Sequence, residues 1–143
     1  MKPAERRRAR QFAVQAIYQW QITQLNVGQI IDQFSVDQDL SKTDVPYFKE
    51  LLAGVINKTD ALDDKLAPYL SRKIEDVDMV DKAILRLAMF ELTYRTDVPH
   101  KVVLNEAIEL AKDFATDESY KFVNGVLDKA LRSLKLREDI KDK

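Results

Sequence analysis

The 143-residue sequence contains no cysteine, one histidine, three glycines and four prolines, and each shortage removes a class of chemistry. Without cysteine there is no disulfide, no thiolate nucleophile and no cysteine-based zinc site. A lone His100 excludes multi-histidine metal sites and would have to serve in any Ser–His–Asp arrangement. Placed directly after Pro99, it reads as a solvated loop residue. Glycines at 28, 54 and 125 only cannot build a phosphate-cradling P-loop or a G-x-G-x-x-G dinucleotide turn. The segment from Phe12 to Trp20 is interrupted by Gln15 and Gln19, so neither a signal peptide nor a membrane span is expected. These gaps predict a non-enzymatic protein without cofactor, metal or catalytic residue, and the lack of cysteine is compatible with a reducing cytoplasm.

What is present is an apolar content of 45% against 33% charged residues, the balance of a globular chain. With so few helix breakers, the apolar spacing predicts an all-α fold of seven helices. The first runs from about Ala4 to Gln24, with Phe12, Ala13, Ala16, Ile17 and Trp20 on one stripe. A short second helix covers Gly28 to Phe34. Asp44 caps a third through about Lys58, burying Phe48, Leu51, Leu52, Val55 and Ile56. Thr59 caps a fourth, ended by Pro68.

A fifth helix, about Asp78 to Tyr94, buries Val80, Ile84, Leu87, Ala88 and Leu92. A sixth spans about Val102 to Asp113 through Leu104, Ala107, Ile108 and Ala111. A seventh, capped by Thr116 or Asp117, runs to about Leu134 with Phe122, Val123, Val126, Leu127 and Ala130 inward. Residues 1–134 form a single domain with two helical halves meeting near 58–75. The charged tail, 135–143, is expected to fray.

The net charge of −1 hides an asymmetry. Residues 1–10 carry Lys2, Arg6, Arg7, Arg8 and Arg10 against Glu5, while the remaining 133 residues hold 18 bases and 23 acids. At 100° per residue, Arg7, Gln11 and Tyr18 share the side of the first helix opposite its apolar stripe, flanked by Arg8 and Arg10. A row of guanidinium, amide and phenol suits single-stranded RNA, whose phosphates pair with arginine and whose bases stack on tyrosine. Arginine is also poorly matched to the positive end of a helix dipole, so an external anion would relieve it. Composition alone leaves two other readings of the arm, a solvated helix end and a dock for an acidic protein. Tyr69 and Arg72 in a connection, and Lys121, Phe122 and Asn124 early in the last helix, are weaker signals of the same kind. Glu106 and Glu109, three apart, read as a solvated helix face.

Several long motifs carry a resemblance. The opening MKPAERRRARQFAVQAIYQWQ, YFKELLAGV at 47–55, PYLSR at 68–72, NEAIELAKDF at 105–114 and KFVNGVLDKA at 121–130 resemble the NusB family, in register over residues 1–130. From Leu131 the sequence departs. The resemblance implies a compact seven-helix fold of two small helical bundles and a role in transcription antitermination. It implies an adaptor that pairs with the small-subunit ribosomal protein doubling as NusE and binds the boxA element of nascent RNA. It thereby acts on RNA polymerase with the other Nus factors and supports ribosomal RNA transcription.

Carried over position by position, the resemblance assigns Lys2, Arg6, Arg7, Arg10, Tyr18, Tyr69, Arg72, Glu118, Lys121 and Phe122 to the RNA surface. Tyr18, Glu75 and Asp81 are assigned to the NusE surface. Position 81 has Asp where the family leads one to expect Glu, and position 118 has Glu where Asp is expected. A NusB-like domain also occurs fused to RNA cytosine methyltransferases, but that activity needs a cysteine nucleophile that is absent from this chain. A protein-interaction module and a free-state homodimer, competing with RNA for one surface, are the other arrangements the family suggests.

Overall fold

The computed structural model describes the backbone of residues 2–141 and the side chains of residues 2–134. Seven α-helices and no strand occupy the described residues: α1 (Pro3–Thr23), α2 (Val27–Asp37), α3 (Val45–Asn57), α4 (Thr59–Leu66), α5 (Met79–Tyr94), α6 (His100–Phe114) and α7 (Ser119–Lys141). Two 3₁₀ turns, Ala67–Tyr69 and Ile74–Asp76, carry the chain from α4 to α5. The expectation of a fraying tail at 135–143 lies outside the residues whose side chains are described, although the α7 backbone continues to Lys141.

Local chemistry explains most helix ends. Pro3 occupies the first turn of α1, where its missing N–H costs nothing. That helix stops at Gln24, which adopts φ 58° and donates its backbone N–H to the Trp20 carbonyl. No glycine serves here; the Gln24 side chain supports the turn with a second bond to the same carbonyl at 3.1 Å. Asn26 and Gln29 form a reciprocal capping box that starts α2 one residue before its predicted beginning. Asp44 caps α3 through the Tyr47 N–H, as its position predicts. Thr59 differs from expectation. Its hydroxyl donates to the Val55 carbonyl at 2.7 Å, because α3 runs into α4 through Lys58 alone and leaves no room for a cap. His100 also differs: it opens α6 and is half-buried, since Pro99 provides the extended residue that starts the helix.

The core forms around α5. From Asp81 to Leu92 every residue of this helix is buried, and α1, α3, α4, α6 and α7 all pack against it. The helices fall into two small bundles, α1–α4 and α5–α7, with α5 shared between them. Phe12, Phe34 and Phe48 lock α1, α2 and α3 together at ring separations of 5.8–6.4 Å. Predicted core positions are buried or half-buried throughout. On α6, however, the innermost residues include Val103 and Leu110, which the predicted stripe omits.

Four charged residues on α5 are buried with the rest: Asp81, Lys82, Arg86 and Glu91. Arg86 forks onto Asp63 of α4 at 2.8 and 2.9 Å and also reaches Gln21 of α1 at 3.0 Å. Glu91 receives both arms of Arg10 from α1, at 2.8 and 2.9 Å, and the Tyr47 hydroxyl from α3. Burial opposes the Arg10 charge, but the hydrogen bonds and attraction of Glu91 outweigh it, so the guanidinium is held protonated. Burial, and then the neighbouring Glu91 charge, push the Tyr47 hydroxyl pKa upward, so it remains a donor.

Two outcomes test this packing. Glu91→Ala would strand a buried guanidinium and is expected to cost about 3–5 kcal/mol in urea unfolding; a loss below 1 kcal/mol would show that Arg10 reaches water instead. At Gly54 a Cβ would stand 2.3 Å from the Phe90 ring. Gly54→Ala should therefore lower stability by roughly 1–3 kcal/mol through overpacking, read as a shifted urea midpoint at unchanged slope.

Candidate nucleic-acid interface

The arginines of α1 point in different directions. Arg10, predicted to flank an exposed RNA-binding row, is 3% exposed and committed to Glu91. That expectation is corrected: Arg10 lies three and seven residues before Ala13 and Ile17, on the stripe that packs inward. Arg6 leans over the Tyr47 ring at 4.2 Å and lies 3.5 Å from Asp44, so it too faces α3. Arg95 covers the same ring at 4.8 Å while bridging Asp97 and Glu50. Tyr47 is thus enclosed by cations whose charges are matched by acids.

Arg7 turns the other way. Its side chain is 58% exposed and grips Glu106 of α6, with Nε at 3.2 Å from both carboxylate oxygens and Nη2 at 2.9 Å from one. Glu106, expected on a solvated face, has a side chain only 13% exposed. The hydrogen bond and attraction of Glu106 raise the Arg7 pKa, and Glu109 adds to them. Lys2 and Arg8 are exposed, with Arg8 over the Phe12 ring at 5.6 Å. Further along the predicted row, Gln11 is half-buried and Tyr18 is 39% exposed. The row of Arg7, Gln11 and Tyr18 therefore exists as one face of α1.

Tyr18 sits in the wall of an apolar groove of about 450 Å³ between α1, α2, α5 and the end of α6. Ile22, Val80 and Phe114 share that wall, and Ile22 and Phe114 are large apolar side chains left exposed. Sequence reading missed both, because each belongs to an otherwise ordinary amphipathic helix. Gln21 ties this end of α1 to α5 by donating to the Met79 carbonyl at 2.9 Å.

A second group of predicted residues gathers where α5, α7 and the connection meet. Arg72 stacks over Phe122 at 5.0 Å, and Tyr69 is half-buried against the core. Asp81, expected to face a partner, is instead buried at 7% exposure. Burial raises its carboxyl pKa, and the nearby Ser119 hydroxyl works in the opposite direction without cancelling it. Its Oδ1 has no hydrogen-bond partner. The exposed neighbour at the start of α5 is Met79. Glu75 is exposed in the second 3₁₀ turn. Glu118 and Lys121 are exposed at the start of α7, lining a hollow of about 340 Å³ with Lys112 and Tyr120. Among the described residues no cluster of three or more metal-ligating side chains occurs, and no helix is long and apolar enough to cross a membrane.

Comparison with known proteins places this geometry in a family. Residues 7–132 match the model of the NusB family. The transcription antitermination protein NusB of Psychromonas ingrahamii is 88% identical over 139 residues, covering 97% of this chain and 96% of that protein. Among solved structures, T. maritima NusB superposes with a TM-score of 0.78 at 30% identity, covering 92% of this chain and 93% of that one. The antitermination factors NusB and NusE have been crystallised in complex with double-stranded RNA. The matching chain there superposes with a TM-score of 0.77 at 24% identity, covering 92% of this chain and 99% of its own. The sequence motifs, the helical fold around α5 and these likenesses agree, and the chain belongs to the NusB family.

Proposed function

We propose that this protein is a non-catalytic adaptor of transcription antitermination in the bacterial cytoplasm. With the ribosomal protein that doubles as NusE, it binds the boxA element of nascent single-stranded RNA. Through the other Nus factors it helps RNA polymerase elongate across ribosomal RNA operons. Family membership and the P. ingrahamii relative support the role. The NusB chain crystallised with NusE and RNA supports the choice of partners.

The observation that carries the reading is the outward row on α1, where an exposed guanidinium and an exposed phenol share one face. Arg7 supplies directed donors to a phosphate, Tyr18 supplies a stacking plane, and Lys2, Arg8 and Lys121 add diffuse positive charge. The Tyr18 groove, lined by the apolar side chains of Ile22, Phe34, Val80 and Phe114, suits a protein surface better than a sugar–phosphate chain. Arg10, Arg6 and Asp81 are assigned structural roles: they fix α1 and the α5–α7 junction that present the exposed groups.

Fluorescence anisotropy of a labelled boxA-type RNA and a scrambled control, with and without NusE, tests this. Selective binding that tightens with NusE is expected. Equal or absent binding to both RNAs would favour a protein-only module. With Arg10 sequestered and Arg7 compensated by Glu106, about three cations remain for phosphates, so log K against log salt should slope near −2, from about −0.7 per phosphate. Arg7→Ala should weaken boxA-type binding about tenfold with helicity kept; unchanged affinity would remove Arg7 from the interface.

A further inference from the structure

An exposed cation that contacts RNA gains most when nothing else neutralises it, yet Arg7 is held in a two-armed grip by an acid. Glu106 is not a mobile surface carboxylate that happens to lie near. Its side chain is 13% exposed, it sits on the α6 face against α5, and it borders the same small crevice as Arg10 and Glu91. Its charge also helps hold Arg10 protonated. Tyr47, Glu91 and Arg10 are hydrogen-bonded in the core, and the Glu106–Arg7 pair stands beside them at the surface, the elements drawn from α3, α5, α1 and α6. Glu106 is held from the outside by Arg7, while on its inner side it borders the crevice that Arg10 and Glu91 also line. Glu109, one turn along α6, brings a second negative charge to bear on Arg7.

We propose that Glu106 is a specificity-determining residue that masks the charge of Arg7 and so withholds it from polyanions in general. This rests on the RNA-binding reading above. The grip uses the Nε and Nη2 edge of the guanidinium and leaves Nη1 without a hydrogen bond to another described residue. A phosphate arriving along that free edge can still be bound, as a directed hydrogen bond. A phosphate arriving elsewhere meets a pair with no net charge and a second acid behind it. Diffuse attraction, which is indifferent to sequence, is therefore reduced more than the aligned contact is. The masking belongs to specificity rather than stability, because an ion pair with one partner more than half exposed adds little to folding.

The test compares wild type, Glu106→Gln, Arg7→Ala and the double variant, as full chains, on labelled oligouridine and on boxA-type RNA across a salt series. Glu106→Gln keeps the shape and an acceptor but removes the charge. It should bind oligouridine about threefold to fivefold tighter and steepen its salt slope by about 0.7, with a smaller gain on boxA-type RNA, so that discrimination narrows. In the Arg7→Ala background the same substitution should change neither quantity. Weaker or unchanged oligouridine binding by Glu106→Gln, in a protein whose circular dichroism melt is native-like, overturns the masking role. So does a gain that persists without Arg7. Wild type that binds neither RNA defeats the RNA reading itself, a different failure from wild type that binds while Glu106→Gln has no effect. Should Glu106→Gln melt early, Glu106→Asp, which keeps the charge but shortens the reach, should still loosen the grip and raise oligouridine binding; native-like folding without that rise is again fatal to the proposal.

Discussion

The buried pair between Arg10 and Glu91 constrains the molecule more than any other single contact. It places a guanidinium from α1 and a carboxylate from α5 in a region where each is only a few per cent exposed, and neither could stay there alone. Tyr47 of α3 completes the acceptor shell of Glu91. Three helices are thereby fixed in rotation as well as in position, because a two-armed pair has directional requirements that leucine and phenylalanine lack. Apolar packing supplies the bulk of the stabilisation around α5, but it would tolerate small rotations of α1. The ion pair does not.

The rotation of α1 decides what reaches the surface. With Arg10 pointing inward, Arg7 emerges beside α6 and Tyr18 beside the groove shared with α5. Arg6 falls on the α3 side and is absorbed by Tyr47 and Asp44. The second structural pair, Arg86 with Asp63, does for the middle of α5 what Arg10 does near its C-terminal end, and its contact with Gln21 again reaches back to α1. The proposed binding face is thus a consequence of polar contacts inside the protein, each anchored on the buried central helix.

Much of this was legible in the sequence, and the failures have a common cause. Helix number, type and most limits follow from apolar spacing, and the cap at Asp44 follows from residue chemistry. The shared face of Arg7, Gln11 and Tyr18 also follows from spacing alone, with Arg7 and Tyr18 exposed and Gln11 half-buried. Charged residues inside the core did not emerge, because a rule that sorts by polarity sends every arginine outward. The signal was available: Arg10 keeps step with Ala13 and Ile17, and Glu91 keeps step with Ile84 and Leu87. Glu106 was harder, since its partner is 99 residues away and no local pattern records a tertiary ion pair. Asp81 was assigned outward by resemblance, whereas packing of α7 through Ser119 covers it.

Counting bases therefore misjudges the electrostatics of the arm. Its first ten residues carry five cations against one acid, yet acids from other elements meet three of them: Asp44 faces Arg6, Glu106 faces Arg7 and Glu91 faces Arg10. In an unfolded chain those acids lie at least 34 residues from the arm, and the cluster would attract any polyanion. Folding brings them in and cancels most of that attraction at distances beyond about 8 Å, the screening length at physiological salt. What survives is short-ranged and directional: the free edge of Arg7, the ring of Tyr18 and a few solvated cations at either end of the face. Long-range attraction speeds encounter without regard to sequence, while short-range contacts discriminate. The fold thus converts an unselective basic segment into a surface whose remaining interactions depend on the shape and position of what binds.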